Sequence, residues 1–184
     1  MTTPTIETDR ILLRPLKISD AEAVFKKWAN DPGVTKYMRW NTHQTINETI
    51  EWLTFEEKNI ASGDSYSWGF VYKENDELFG SGGMIHNKDI RMFEIGYVLM
   101  EKYWNMGLAT EAAKAFIDFA VKELKQTSFF AVHAKENPAS GKVMEKLGFI
   151  YDKDGSFTSF DGKRTFECRD YILSVSEQPR KDDA

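Results

Sequence analysis

The stretch Phe93–Ala112, FEIGYVLMEKYWNMGLATEA, runs from a strand-like segment into a helix whose mouth carries one glycine and several small residues. From about Leu108 to Leu124, the residues Ala109, Ala113, Phe116, Ile117, Ala120 and Leu124 recur on one helical face, while Lys114, Asp118 and Lys122 point elsewhere. Such a helix is expected to pack on a sheet. Its first backbone N–H groups have no partner inside the helix and sit at the positive end of the helix dipole, which favours a phosphate group. Gly107 and Ala109 would let phosphate oxygens approach the backbone closely. By itself the segment also reads as a plain turn ahead of a helix. The three spaced glycines of a dinucleotide fingerprint and the Gly-Lys-Ser/Thr of a P-loop are both missing, which disfavours a nicotinamide cofactor and ATP.

On the N-terminal side, Tyr66–Lys73, Leu78–Ile85 and Phe93–Met100 are strand-like and are joined at Asn75-Asp76 and Asn87-Lys88-Asp89, an antiparallel meander. Before them, Glu7–Pro15 reads as a strand, and Ser19-Asp20-Ala21-Glu22 has capping-box spacing for a helix reaching about Asn30, where Asp31-Pro32-Gly33 stops it. Thr45-Ile46-Asn47-Glu48 repeats the signal for a second helix, with Ile46, Ile50, Leu53 and Phe55 on one side. On the C-terminal side come a strand at Phe129–Ala134 and a short helix opened by Asn137-Pro138 and ended by Gly148. A hairpin, Tyr151–Phe160 and Lys163–Leu173, then turns at Asp161-Gly162. The order is α+β with a strand–helix–strand crossover in its second half.

With 184 residues and 21.2 kDa the chain suits one domain, 1–175, followed by a charged tail, Ser176–Ala184, that reads as disordered. No apolar run approaches the roughly 20 residues needed to span a bilayer, and the N-terminus carries no signal-peptide pattern, so action in the cytoplasm is expected. A net charge of -5 gives no footprint for nucleic acid. The single cysteine, Cys168, excludes an internal disulfide, and His43, His86 and His133 form no metal-ligand spacing, so no metal is expected.

Four segments together resemble the GNAT superfamily of N-acetyltransferases, in the RimJ/RimL branch typified by ribosomal-protein N-terminal acetyltransferases. They are TDRILLRPLKISDAEAVF (Thr8–Phe25), FEIGYVLMEKYWNMGLATEA (Phe93–Ala112), NPASGKVMEKLGF (Asn137–Phe149) and DGKRTFECRDYIL (Asp161–Leu173). The resemblance implies a twisted mixed sheet of about seven strands, splayed at its centre, flanked by about four helices, with acetyl-coenzyme A (acetyl-CoA) in the splay as acetyl donor. In the family the pantetheine arm bonds the fourth strand, which maps to Tyr97, Val98 and Leu99. The pyrophosphate sits on the loop and helix start, which map to Asn105, Met106, Gly107, Leu108, Ala109 and Thr110. Trp104 stands where the family usually has Gln or Arg, and Asn105 replaces a common glycine, although Asn tolerates left-handed backbone.

Acetyl transfer to an amine needs a neutral nucleophile and a proton for the departing thiolate, and an α-amine with a reference pKa of about 7.7–8.0 needs only a modest base. The resemblance makes Glu94 the candidate base, with an ion pair as its alternative role. Asn137 is a coenzyme ligand or simply a helix cap, and Ser140 is a thiolate donor or a backbone-bonded serine. Tyr97 and Tyr151 are substitute donors, and Lys142 is a phosphate partner or a solvated side chain. His86 and His133 are further candidate bases, and Cys168 is a weak candidate for a covalent step. Tyr37, Trp40, Trp52, Phe55, Tyr66 and Trp68 are candidates for an acceptor pocket or for core. Glu48, Glu51, Glu56 and Glu57 are candidates for an acidic pocket or for a solvated face. The acceptor is expected to be a primary amine, with a protein N-terminus suggested by the branch. Small-molecule amines, a non-catalytic acyl-CoA sensor and a homodimer stay open.

Overall fold

The chain forms one eight-stranded sheet in the order β1-β2-β3-β4-β5-β6-β8-β7 in the computed structural model, which describes residues 2–175. The strands are β1 (Ile6–Glu7), β2 (Ile11–Arg14), β3 (Ser65–Tyr72), β4 (Glu77–Asn87), β5 (Met92–Leu99), β6 (Ser128–Ala134), β7 (Ile150–Thr158) and β8 (Thr165–Ser174). Every neighbouring pair is antiparallel except β5 and β6, which the crossover through α4 (Leu108–Glu123) makes parallel. Ahead of the meander lie α1 (Ala21–Val24), continued by a π-turn at Phe25–Ala29, then α2 (Pro32–Thr35) and α3 (Ile46–Ser62); α5 (Pro138–Lys146) follows β6. Among the described residues no helix is long and apolar enough to cross a membrane. The tail Ser176–Ala184 lies outside the described residues.

Alternation along the central strands feeds two apolar layers, one on each face. On one face Tyr66, Trp68 and Phe70 meet the stripe of α4, with the Trp68 ring stacked 5.7 Å from that of Phe116. On the other, Leu16, Val24, Trp28 and Leu53 from the N-terminal segments pack with Val71 and Val98.

Several local expectations are corrected. Glu7–Pro15 is two strands, because Thr8 turns the chain back by donating its N–H to the carbonyl of Ile11 at 2.9 Å; this supplies the strand beyond seven. The first helical turn begins one residue before Ser19, and the box is closed by Asp20, whose carboxylate accepts the Lys17 N–H at 2.8 Å and holds Arg14. Asp31-Pro32-Gly33 ends one helix but starts another, with Asp31 accepting from Gly33 N at 2.8 Å. At α3, Glu48 takes the N–H of Gln44 rather than that of Thr45. Of the expected α3 stripe, Leu53 is buried, whereas Ile46 and Phe55 are 39% and 59% exposed, since this helix covers only part of the sheet.

Candidate active site

Strand β5 pairs with β4 along its whole length, from Met92 to Leu99. Its contact with β6 stops after two pairs, Phe93↔Phe129 and Glu94↔Phe130. From Ile95 to Val98 the edge of β5 that faces away from β4 therefore has no strand partner, and the N–H and C=O groups of the alternate residues on that edge open into a splay between diverging strands. The chain leaving that edge makes one short turn and enters α4 through two left-handed residues, Asn105 with φ 61° and Gly107 with φ 77°. The first intrahelical bond is donated by Glu111 to Gly107, so the N–H groups just before it point outward without helical partners. Arg10 braces this mouth, donating to the Met106 carbonyl at 3.0 Å and pairing with Glu111 at 2.7 Å. Trp104 donates its indole N–H to the Leu99 carbonyl at 2.9 Å, tying the loop to the end of β5.

Behind the open edge, on the α3 face, three cross-strand rows are Ser65–Ile85–Glu94, Ser67–Gly83–Gly96 and Gly69–Ser81–Val98. Gly83 and Gly96 leave two of the three positions of the middle row without side chains, and a Cβ at Gly96 would meet nothing within 4 Å. The result is a cavity of about 290 Å³ walled by Trp40, Trp52, His43, Glu56 and Phe160, with Glu94 in its lining. Glu94 pairs with Arg39 at 3.4 Å, so its alternative role as an ion-pair partner is realised, and the Arg39 guanidinium lies 5.0 Å over the Phe157 ring. Burial lowers the pKa of His43, which shares a 2.8 Å hydrogen bond between Nδ1 and the Thr49 hydroxyl. Burial raises the pKa of Glu56, against the bond that Ser67 donates to it.

The cavity wall is held from the far end of the chain. Arg164 donates to the carbonyls of Lys36, Met38 and Trp40 at 3.2, 3.1 and 2.9 Å and to Asn41 Oδ1 at 3.0 Å. Phe160 adds its N–H to the Arg39 carbonyl at 2.7 Å. Replacing Arg164 with alanine is expected to cost about 2–3 kcal/mol, lowering the unfolding midpoint by roughly 5–10 °C in a thermal melt.

Across the splay, the Tyr97 hydroxyl lies 3.0 Å from Ser140 Oγ and 3.2 Å from the Ser140 carbonyl, joining β5 to the first turn of α5. Burial pushes the Tyr97 phenol up to about 12, so it stays a proton donor at neutral pH. Asn137 caps α5, its side chain accepting from Ser140 N at 3.4 Å, and Lys142 is exposed on that helix. The structure thus gathers Glu94, Tyr97, Ser140 and the α4 mouth around the splay.

Other candidates fall elsewhere. His86 packs edge-on to Phe93, and His133 is buried with Nδ1 2.7 Å from the Ala134 carbonyl; neither lines the cavity. Tyr66 and Trp68 are core, Phe55 is exposed, and Tyr37 packs against Phe166, leaving Trp40 and Trp52 of the aromatic set in the wall. Tyr151 is exposed and bonded to Asp154. Of the four glutamates only Glu56 reaches the cavity. Sequence reasoning passed over His43, Arg39 and Arg164. It also passed over Gly80-Ser81-Gly82-Gly83, a glycine cluster inside a strand pattern, which is itself a signal of a hollow or a close approach.

Residues 10–150 match the family model described as an acetyltransferase (GNAT) domain. An uncharacterized N-acetyltransferase, p20, of Bacillus licheniformis is 30% identical over 173 residues, 93% of this chain and 95% of that protein. The crystal structure of a GNAT-family acetyltransferase from Bacillus anthracis aligns with a TM-score of 0.77 at 27% identity, over 93% of this chain and 98% of that one. RimL, a ribosomal L7/L12 alpha-N-protein acetyltransferase solved with coenzyme A, aligns with a TM-score of 0.82 over 94% and 98% of the two chains, a likeness of fold at 15% identity.

Proposed function

Because the chain belongs to the GNAT acetyltransferase family and is an N-acetyltransferase, we propose that it moves the acetyl group of acetyl-CoA to a primary amine, with a protein or peptide N-terminal α-amine as acceptor, by direct attack in a ternary complex. The observation that carries this reading is the free edge of β5, which meets the bare mouth of α4 at one end and has the Glu94 cavity behind it. A pantetheine arm needs backbone partners along an open strand, and a pyrophosphate needs unpaired N–H groups at a helix start; both are present. In this assignment Tyr97, Val98 and Leu99 bond the arm, and Asn105 to Thr110 cradle the pyrophosphate. Asn137 and Lys142 flank the coenzyme.

Chemistry follows from the same placement. Glu94, directly or through a water, takes the proton from the acceptor ammonium, and the freed nitrogen attacks the thioester carbonyl. As the C–N bond forms and the C–S bond breaks, the departing thiolate takes a proton from the Ser140 hydroxyl, and the second proton that the nitrogen sheds on becoming an amide restores Ser140 by way of the Tyr97 phenol. Cys168 has no part in this: burial, reinforced by Asp170, pushes its thiol up to about 11. Cys168→Ala is accordingly expected to keep its turnover, measured as thiol release.

Thiol release from acetyl-CoA, measured with peptides bearing free Ser, Ala or Thr N-termini and with small amines, tests the reading. Turnover on peptides that disappears when the α-amine is blocked is expected. Turnover confined to small amines overturns the choice of acceptor, and saturable binding of acetyl-CoA with no transfer to any amine overturns the reaction.

A further inference from the structure

The cavity holds two carboxylates in unequal situations. Glu94 has a cation 3.4 Å away in Arg39. Glu56 is held by the Ser67 hydroxyl, and among the described residues no Lys or Arg pairs with it or lines the cavity. Ser67 occupies the same cross-strand row as Gly96, two strands away, which places the Glu56 carboxylate roughly 10 Å from the open edge of β5 at ordinary strand spacing. Between the two ends, Gly83 carries no side chain and Gly96 leaves open floor, since a Cβ there would meet nothing within 4 Å, while Trp40 and Trp52 supply aromatic wall.

A partly buried carboxylate without a cation is costly unless a ligand supplies one, and aromatic faces favour a positive charge beside them. We propose that Glu56 is a specificity-determining residue that receives a second cationic group of the acceptor, an ammonium or guanidinium, while the reacting amine lies at the β5 edge near Glu94. The inference rests on the acetyl-transfer reading and names the acceptor class within it: a dicationic amine with no carboxylate beside the cavity, since no cation lines it to meet one. The second charge comes either from the first side chain of a peptide or from a free diamine.

Two matched pairs of acceptors separate these sources: a peptide beginning with Lys against one beginning with norleucine, and an alkyl diamine against the monoamine of equal length. In one pair, kcat/KM is expected to favour the dication by about tenfold or more, carried by KM. Glu56→Gln is expected to bring that ratio close to one. Glutamine keeps the shape and can still accept from Ser67 while removing a charge that burial disfavours, so the variant should unfold no earlier than wild type. A preference in the peptide pair identifies a peptide acceptor, and one in the diamine pair a free amine. A wild-type ratio near one in both pairs overturns the proposal without recourse to the variant, as does a preference that Glu56→Gln leaves intact. Turnover without the preference leaves the acetyl-transfer reading standing, whereas no turnover with any amine removes both.

Discussion

Gly107→Val is expected to weaken acetyl-CoA binding by about a hundredfold or more in titration calorimetry while the protein still folds. Gly107 sits at φ 77°, where a residue with a Cβ pays about 1–2 kcal/mol and a β-branched one more. Relief of that strain would turn the N–H groups of the α4 mouth away from a common focus, and the valine methyls would occupy space that phosphate oxygens need. The fold is a bystander: an added Cβ would find only Arg10 Nη2, at 3.7 Å, which is ordinary contact. Gly107→Asn supplies the graded control, since Asn tolerates left-handed backbone and should retain more affinity than Val. Undiminished binding by the Val variant would remove the α4 mouth as the phosphate site.

Glu94→Gln is expected to lower kcat about a hundredfold at neutral pH, with the KM for acetyl-CoA little changed. Raising the pH above about 8, where an α-amine is already deprotonated in solution, should restore part of the loss. The Arg39 pair offers the rival explanation, in which Glu94 only holds the Arg39 side chain in place. That rival requires Arg39→Gln and Glu94→Gln to lose activity alike and with the same pH profile. A pH profile unchanged by Glu94→Gln would exclude Glu94 as the base.

Where a structural feature depends on a few consecutive residues, the sequence was legible. Asn137-Pro138 caps α5, Gly148 follows its end at φ 88°, and Gly162 turns the last hairpin at φ 73°, each from backbone preferences that act within a turn. The α4 stripe was readable because one face repeats over four turns: Ala113, Phe116, Ile117 and Ala120 are all buried. Ser19 was misread as a cap because the Ser-x-x-Glu spacing is compatible with neighbouring registers, whereas Thr45 does stand at the N-cap of α3 but makes no side-chain cap bond there. Packing of Arg14 on Asp20 selects the register at the first of these helices.

By itself, the sequence determined the α+β order, the helix mouth at Gly107 and the place of Glu94 on a central strand. All three follow from local conformational cost and from the period of apolar residues. Only the tertiary structure decided which side chains share the cavity. Arg39 meets Glu94, Ser67 meets Glu56, and Arg164 grips the Met38 carbonyl from 126 residues away, because strand register and sheet order bring them together. The splay is of the same kind: residues 95–99 look like any buried strand until the two-pair contact with β6 leaves one edge of their backbone unpaired.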